Sequence, residues 1–271
     1  MSALLTVTHL CRRFGGVAAI QDAHLSVNAG EIYSVIGPNG AGKSTLFNLI
    51  SAIFRPDSGT VQFGPHRIDR MRSHQLASIG VGRTFQNLAL FKHASVVENI
   101  LVGMHSHLRS GPFQAALFFG GRMMQEIVAR QRAEEIIDFL EISELRDKPV
   151  GSLSYGQQKR VELGRALATR PKLLLLDEMV SGMNEEETED IARFVLDIRD
   201  QLGITVMMIE HHMGIVMDIS DRICVLNFGT TIAEGTPAQI RANDSVRQAY
   251  LGAAQAEKAG HGVLAKVEAA A

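Results

Sequence analysis

Hydrophobic and polar positions change rhythm along this chain, and each change marks an element. Leu4 to Leu10 and Ala19 to Val27 read as strands, the second closed by the turn Asn28-Ala29-Gly30. Glu31 to Ile36 is a short apolar strand that runs straight into GPNGAGKST. A helix is predicted from about Lys43 to Ile53, stopping before Pro56, and Thr60 to Phe63 reads as a further β piece. The opening third is thus β-rich, with one strand–loop–helix unit set into it.

From about Ser95 to Arg170 helical signals dominate. Ser95 and Glu98 have the spacing of a capping box. Ala133, Ile136, Ile137 and Leu140 recur at three and four, the apolar stripe of a helix. The segment SGPFQAALFFGGRMM, with Phe113, Phe118 and Phe119, is apolar and broken by glycine. It reads as local packing or as a surface for a hydrophobic partner. Alternation of strands and helices then returns. Leu173 to Leu176 has the continuous apolar run of a strand buried on both faces. Asn184 and Glu187 again have capping-box spacing, and Ile204 to Ile209 and Ile223 to Leu226 read as strands. Beyond Gly252 the residues are small and polar, as in a mobile tail over 253–271.

Composition changes this picture little. Of 271 residues 46% are hydrophobic and 21% charged, enough for an ordinary core. The net charge of −2 gives no reason to expect nucleic acid as a partner. Cys11 and Cys224 read as two reduced thiols. No apolar run approaches the ~18 residues of a membrane helix, so any membrane association is expected through a partner.

Three stretches carry chemistry. Gly37-Pro38-Asn39-Gly40-Ala41-Gly42-Lys43-Ser44, with Thr45 following, matches the P-loop pattern. Its glycines let backbone N–H groups curl around phosphate, and the helix after it offers its positive end. Lys43 is placed to reach the β and γ phosphates of ATP, and the Ser44 hydroxyl to hold Mg²⁺. The run Leu173-Leu-Leu-Leu-Asp177-Glu178 ends an apolar strand in two acids. Asp177 is suited to orient hydrated Mg²⁺, and Glu178 to act as general base toward the attacking water. In Leu153-Ser154-Tyr155-Gly156-Gln157-Gln158-Lys159-Arg160, Ser154 and Gln157 can cap a helix whose start is a second anion site.

GPNGAGKST, LSYGQQKR and LLLLDE resemble the Walker A, signature and Walker B motifs of ABC-transporter ATPase subunits. The resemblance covers about Leu4 to Gly252. It implies a P-loop, RecA-like α/β core with an antiparallel β subdomain and an inserted helical subdomain at about 87–165. It also implies a head-to-tail pair of cassettes, in which Ser154, Tyr155, Gly156 and Gln157 meet the ATP of a partner subunit. By the same resemblance Phe14 stacks on adenine, and Gln86 contacts Mg²⁺ and the attacking water. Gly182 and Asn184 belong to the loop that crosses the dimer interface, and His211 is the switch histidine that contacts the γ-phosphate.

RTFQNLALFKHASVVENILVGMH, the Tyr-containing signature, and SDRICVLNFGTTIAEGTP followed by QAYLG look like the ATPase subunits of bacterial branched-chain amino acid importers. Related transporters of small solutes share that look. The expected partners are a second ATPase subunit (a paralogue or the chain itself) and two membrane permeases. A periplasmic solute-binding protein is expected indirectly, and the expected place is the cytoplasmic face of the inner membrane. The alternative is a non-transport ABC ATPase serving assembly or translation. The chain departs from the family at Met179, where Pro is usual, and at His212, where Asp is usual. IEHH itself is a poor zinc site by spacing.

Overall fold

A computed structural model describes residues 3–84, 89–104 and 121–251, with the side chains of 121–125 excepted. In chain order the first elements are β1 (Ala3–Phe14), β2 (Val17–Asn28), β3 (Ile32–Ile36), α1 (Lys43–Ile50), β4 (Ser58–Phe63) and β5 (His66–Arg67). Next come α2 (Ser73–Ile79), β6 (Val81–Arg83), α3 (Val96–Met104), α4 (Gly121–Phe139), α5 (Tyr155–Ala168) and β7 (Leu173–Asp177). The remainder is α6 (Glu185–Asp200), β8 (Thr205–Ile209), α7 (Met213–Ile219), β9 (Arg222–Asn227), β10 (Thr230–Gly235) and α8 (Pro237–Ala242). The chain divides into two compact units, one of residues up to 70 together with those from 211 onward, the other of 71–210.

In the first unit, β2, β1, β4 and β5 form an antiparallel sheet in that order. Leu5, Val7 and Leu10 of β1 point into its core with Leu25 and Val27 of β2. A separate run places β10 against β9 antiparallel and β9 against β3 parallel. All five residues of β3 are buried, which is why the sequence shows a continuous apolar run there and no alternation. Where the pattern predicts a helix to Ile53, α1 stops at Ile50. The Ser51 hydroxyl donates back to the Phe47 carbonyl at 2.6 Å, and Ala52 turns to a φ of 53°.

In the second unit, β6, β7 and β8 lie side by side and parallel. Every residue of β7 and β8 is buried. Helices α3, α4 and α5 pack on one another, and the predicted stripe Ala133, Ile136, Ile137 and Leu140 is buried. Ser95 and Glu98 form the expected box at the start of α3: the Ser95 N–H donates to the carboxylate at 2.7 Å. Gly103 of α3 sits so close to α5 that a Cβ there would lie 2.2 Å from the Arg165 carbonyl oxygen. No described helix is long and apolar enough to cross a membrane.

Candidate nucleotide site

The loop from Gly37 to Gly42 is built by backbone conformations that only glycine takes without strain. Gly37 has φ 152°, Gly40 78° and Gly42 100°. Space forces the same choice, since a Cβ on Gly37 would meet the Leu226 carbonyl oxygen at 2.1 Å. One on Gly42 would meet that of Ala19 at 2.5 Å. Gly42 is the N-cap of α1 and supplies no side-chain cap, and the first turn of α1 carries no acid. No capping side chain and no first-turn acid therefore competes with an anion at the positive end of this helix. Lys43 is buried, and its ammonium donates to the carbonyls of Gly37 at 2.7 Å and Pro38 at 3.1 Å, which folds it over the loop. Ser44 is exposed and Thr45 half-buried behind it. This cradle fits a polyphosphate.

Phe14 ends β1 with its ring 40% exposed, edge-on to Phe54 at 5.2 Å, and with the Arg12 guanidinium 4.7 Å above one face. An aromatic base approaching this ring shares it with a cation.

In the other unit β7 delivers Asp177 to its carboxyl end. Arg83, the last residue of β6, donates to Asp177 Oδ2 at 2.9 Å, with both side chains nearly buried. The Asp177 N–H donates to the Thr84 hydroxyl at 3.2 Å. The other carboxylate oxygen, Oδ1, is buried and has no hydrogen-bond partner. Burial pushes the Asp177 carboxyl up, and the neighbouring Glu178 adds to this against the opposing pull of Arg83 and Lys159. An orphaned buried acceptor of this kind suits a hydrated cation. Lys159 of α5 is fully buried and pairs with Glu162 at 3.3 Å.

Glu178 follows in the left-handed region at φ 51°, a conformation that costs a non-glycine residue about 1–3 kcal/mol. Its N–H is held by the Ile209 carbonyl at 3.0 Å, and the Val180 N–H two residues on donates to Glu210 at 3.2 Å. The carboxylate of IEHH is thus a buried backbone clamp, a role that the sequence pattern does not signal. His211 and His212 are both exposed. The His212 ring nitrogen Nδ1 accepts the Ile215 N–H at 3.4 Å and caps α7. Capping is a task that an aspartate also performs, so this departure from the family pattern keeps the function of the position. Among the described residues no group of three or more His, Cys, Asp or Glu is placed to hold a metal ion.

Ser154 caps α5, its hydroxyl accepting the Gln157 N–H at 3.2 Å while Gln157 accepts the Ser154 N–H at 3.0 Å. Asn184 and Glu187 form the same reciprocal box at the start of α6. Gly182 precedes it at φ 80°. Gln86, Phe113, Phe118, Phe119 and the tail after Gly252 lie outside the described residues. Arg83 and Glu210 carry no sequence motif, and the capping-box spacing of Glu187 does not signal its contact with Gly156. Their roles come from partners 94, 30 and 31 positions away in sequence, which no local pattern records.

A phosphate cradle at a helix start, a strand ending in Asp-Glu and a capped signature helix together define an ATP-hydrolysing cassette. Residues 20–181 match the family model of the ABC transporter, and residues 230–256 match that of the branched-chain amino acid ATP-binding cassette transporter. The chain is 41% identical over 252 residues to the high-affinity branched-chain amino acid transport ATP-binding protein BraF of Pseudomonas aeruginosa. That alignment covers 93% of this chain and 98% of the relative. It is 39% identical over 251 residues to the corresponding protein LivG of Escherichia coli K12, with the same coverage. A crystal structure of the ADP conformation of an ATP-binding cassette of an ABC transporter superposes with a TM-score of 0.80 at 33% identity, over 93% of this chain and all of that one. The chain belongs to the ABC transporter family and is one of its ATPases.

Proposed function

We propose that the chain is the motor subunit of a bacterial importer for branched-chain amino acids or a related small solute. The match of residues 230–256 to the branched-chain amino acid cassette model carries this reading, because that segment lies outside the general ATPase match. The ATPase domain then spans 4–252, with the helical subdomain at about 87–165. The partners are a second cassette, two permeases and, indirectly, a periplasmic solute-binding protein. This seats the chain on the cytoplasmic face of the inner membrane.

In this reading Phe14 stacks on the adenine of ATP, and the loop of Gly37, Pro38, Asn39, Gly40, Ala41 and Gly42 wraps the phosphates with Lys43, Ser44 and Thr45. Ser44, Gln86 and Asp177 would hold Mg²⁺, Asp177 through water, and the bound ion would supply positive charge against that of the phosphates. Glu178 takes the proton of the attacking water, which its strained backbone presents from the end of β7. His211 donates to the γ-phosphate, and Ser154 to Gln157 meet the ATP held by a partner cassette, with Gly182 and Asn184 crossing the interface.

Lys43→Ala tests the cradle. The phosphates lose a charged donor inside the loop, so ATP affinity by calorimetry should fall by about one to two orders of magnitude, matching about 1.5–3 kcal/mol for a charged hydrogen bond. Near-normal affinity would overturn the assignment. The importer reading is tested by co-expression with candidate permeases: ATP-dependent uptake of leucine, isoleucine or valine in vesicles supports it, and a complex that forms without uptake of these or related solutes rejects it.

A further inference from the structure

One contact in the second unit is used by none of the assigned motifs. Glu187 lies in the first turn of α6, but its carboxylate rests on Gly156 in the first turn of α5. A Cβ built on Gly156 would lie 2.3 Å from Glu187 Oε1 and 2.6 Å from Cδ. The other oxygen, Oε2, accepts the Asn184 N–H at 3.3 Å, and the Asn184 side chain accepts the Glu187 N–H at 2.8 Å. The same two segments also lie near each other at Gly182, where an added Cβ would stand 3.7 Å from Tyr155 Cε1. Ser154, Gly156, Gln157, Asn184 and Glu187 all line one cavity of about 290 Å³.

We propose that Glu187 is a positioning residue that couples the loop at 182–184 to the signature helix and opposes premature binding of a partner's nucleotide there. The helix start of α5 attracts negative charge, and the Glu187 carboxylate supplies it from the side. A phosphate arriving at Ser154 and Gly156 meets a like charge and must turn that carboxylate away. Because Glu187 also closes the cap of Asn184, turning it away loosens the loop at the same time. Gly156 is required for the contact, because any side chain there would displace the carboxylate.

The inference rests on the reading of Ser154 to Gln157 as the contact for a partner's ATP, and the test separates the two. Association of the cassette with its partner cassette is measured by light scattering against ATP concentration, in a Glu178→Gln background that retains ATP. Glu187→Gln keeps the cap, because glutamine serves at that position of a capping box, but removes the charge. It should lower the ATP concentration for half-maximal association by three-fold or more, while Glu187→Asp stays nearer the parent. A residue that only caps α6 predicts no difference between Glu and Gln. If Ser154→Ala weakens association and Glu187→Gln leaves the midpoint unchanged, the inference is wrong and the signature reading stands. If neither Ser154→Ala nor Glu187→Gln alters the midpoint, or no variant associates with ATP, both fall.

Discussion

Asp177 and Arg83 make an exacting arrangement of two residues. One carboxylate oxygen is paired at 2.9 Å and the other is buried without a partner. The site thus keeps an acceptor in readiness while the guanidinium holds the rest of the charge in place. Removing one member of a buried pair leaves the other uncompensated, at about 3–5 kcal/mol. Arg83→Met should therefore lower the free energy of unfolding, measured by denaturant titration, by that order, and an unchanged value would mean that the pair is energetically idle. The two adjacent histidines divide differently. His212 serves as the cap of α7 through its ring nitrogen, so His212→Asp should leave hydrolysis and stability near the parent level. His211→Ala should cripple steady-state phosphate release, and the opposite ranking of the two variants would shift the register of the switch histidine by one. None of these distinctions is written in the letters IEHH. The buried Glu210 was unreadable there because its partner, the Val180 N–H, comes from a different loop.

At the scale of elements, most of what positions the site was legible. The three capping boxes at Ser95, Ser154 and Asn184 start helices where their spacing says. The apolar runs before the P-loop and before Asp-Glu are strands buried on both faces. Short pieces escaped. β6 has three residues and no period to detect, yet it ends in Arg83, and α2, α7 and α8 have only six or seven residues each. What decides these is packing with distant chain rather than local pattern. Gly103 is another such case, ordinary in sequence but required where α3 meets α5. Gly103→Ala drives a methyl group into the Arg165 carbonyl, so it should destabilise the second unit by about 1–3 kcal/mol despite the better helix propensity of alanine. A gain in melting temperature would contradict the close approach.

The molecule as a whole is an ATP-hydrolysing cassette, and its parts carry opposite demands. Buried strands and capped helices frame each unit, while two groups proposed to act on ATP are held in costly states. Glu178 is kept at φ 51° and Asp177 is kept buried with an unmet oxygen. The Glu178 conformation is held by the bonds of Glu178 N–H to the Ile209 carbonyl and of Val180 N–H to Glu210. In the proposed cycle of ATP hydrolysis Glu178 is the base. The direct measurement is phosphate release by the parent and by Glu178→Gln at saturating Mg·ATP, with bound nucleotide measured in the same samples. The amide keeps the shape and loses the proton acceptor, so release should slow by about 10²–10⁴-fold while ATP stays bound. Phosphate release at the parent rate would contradict the account.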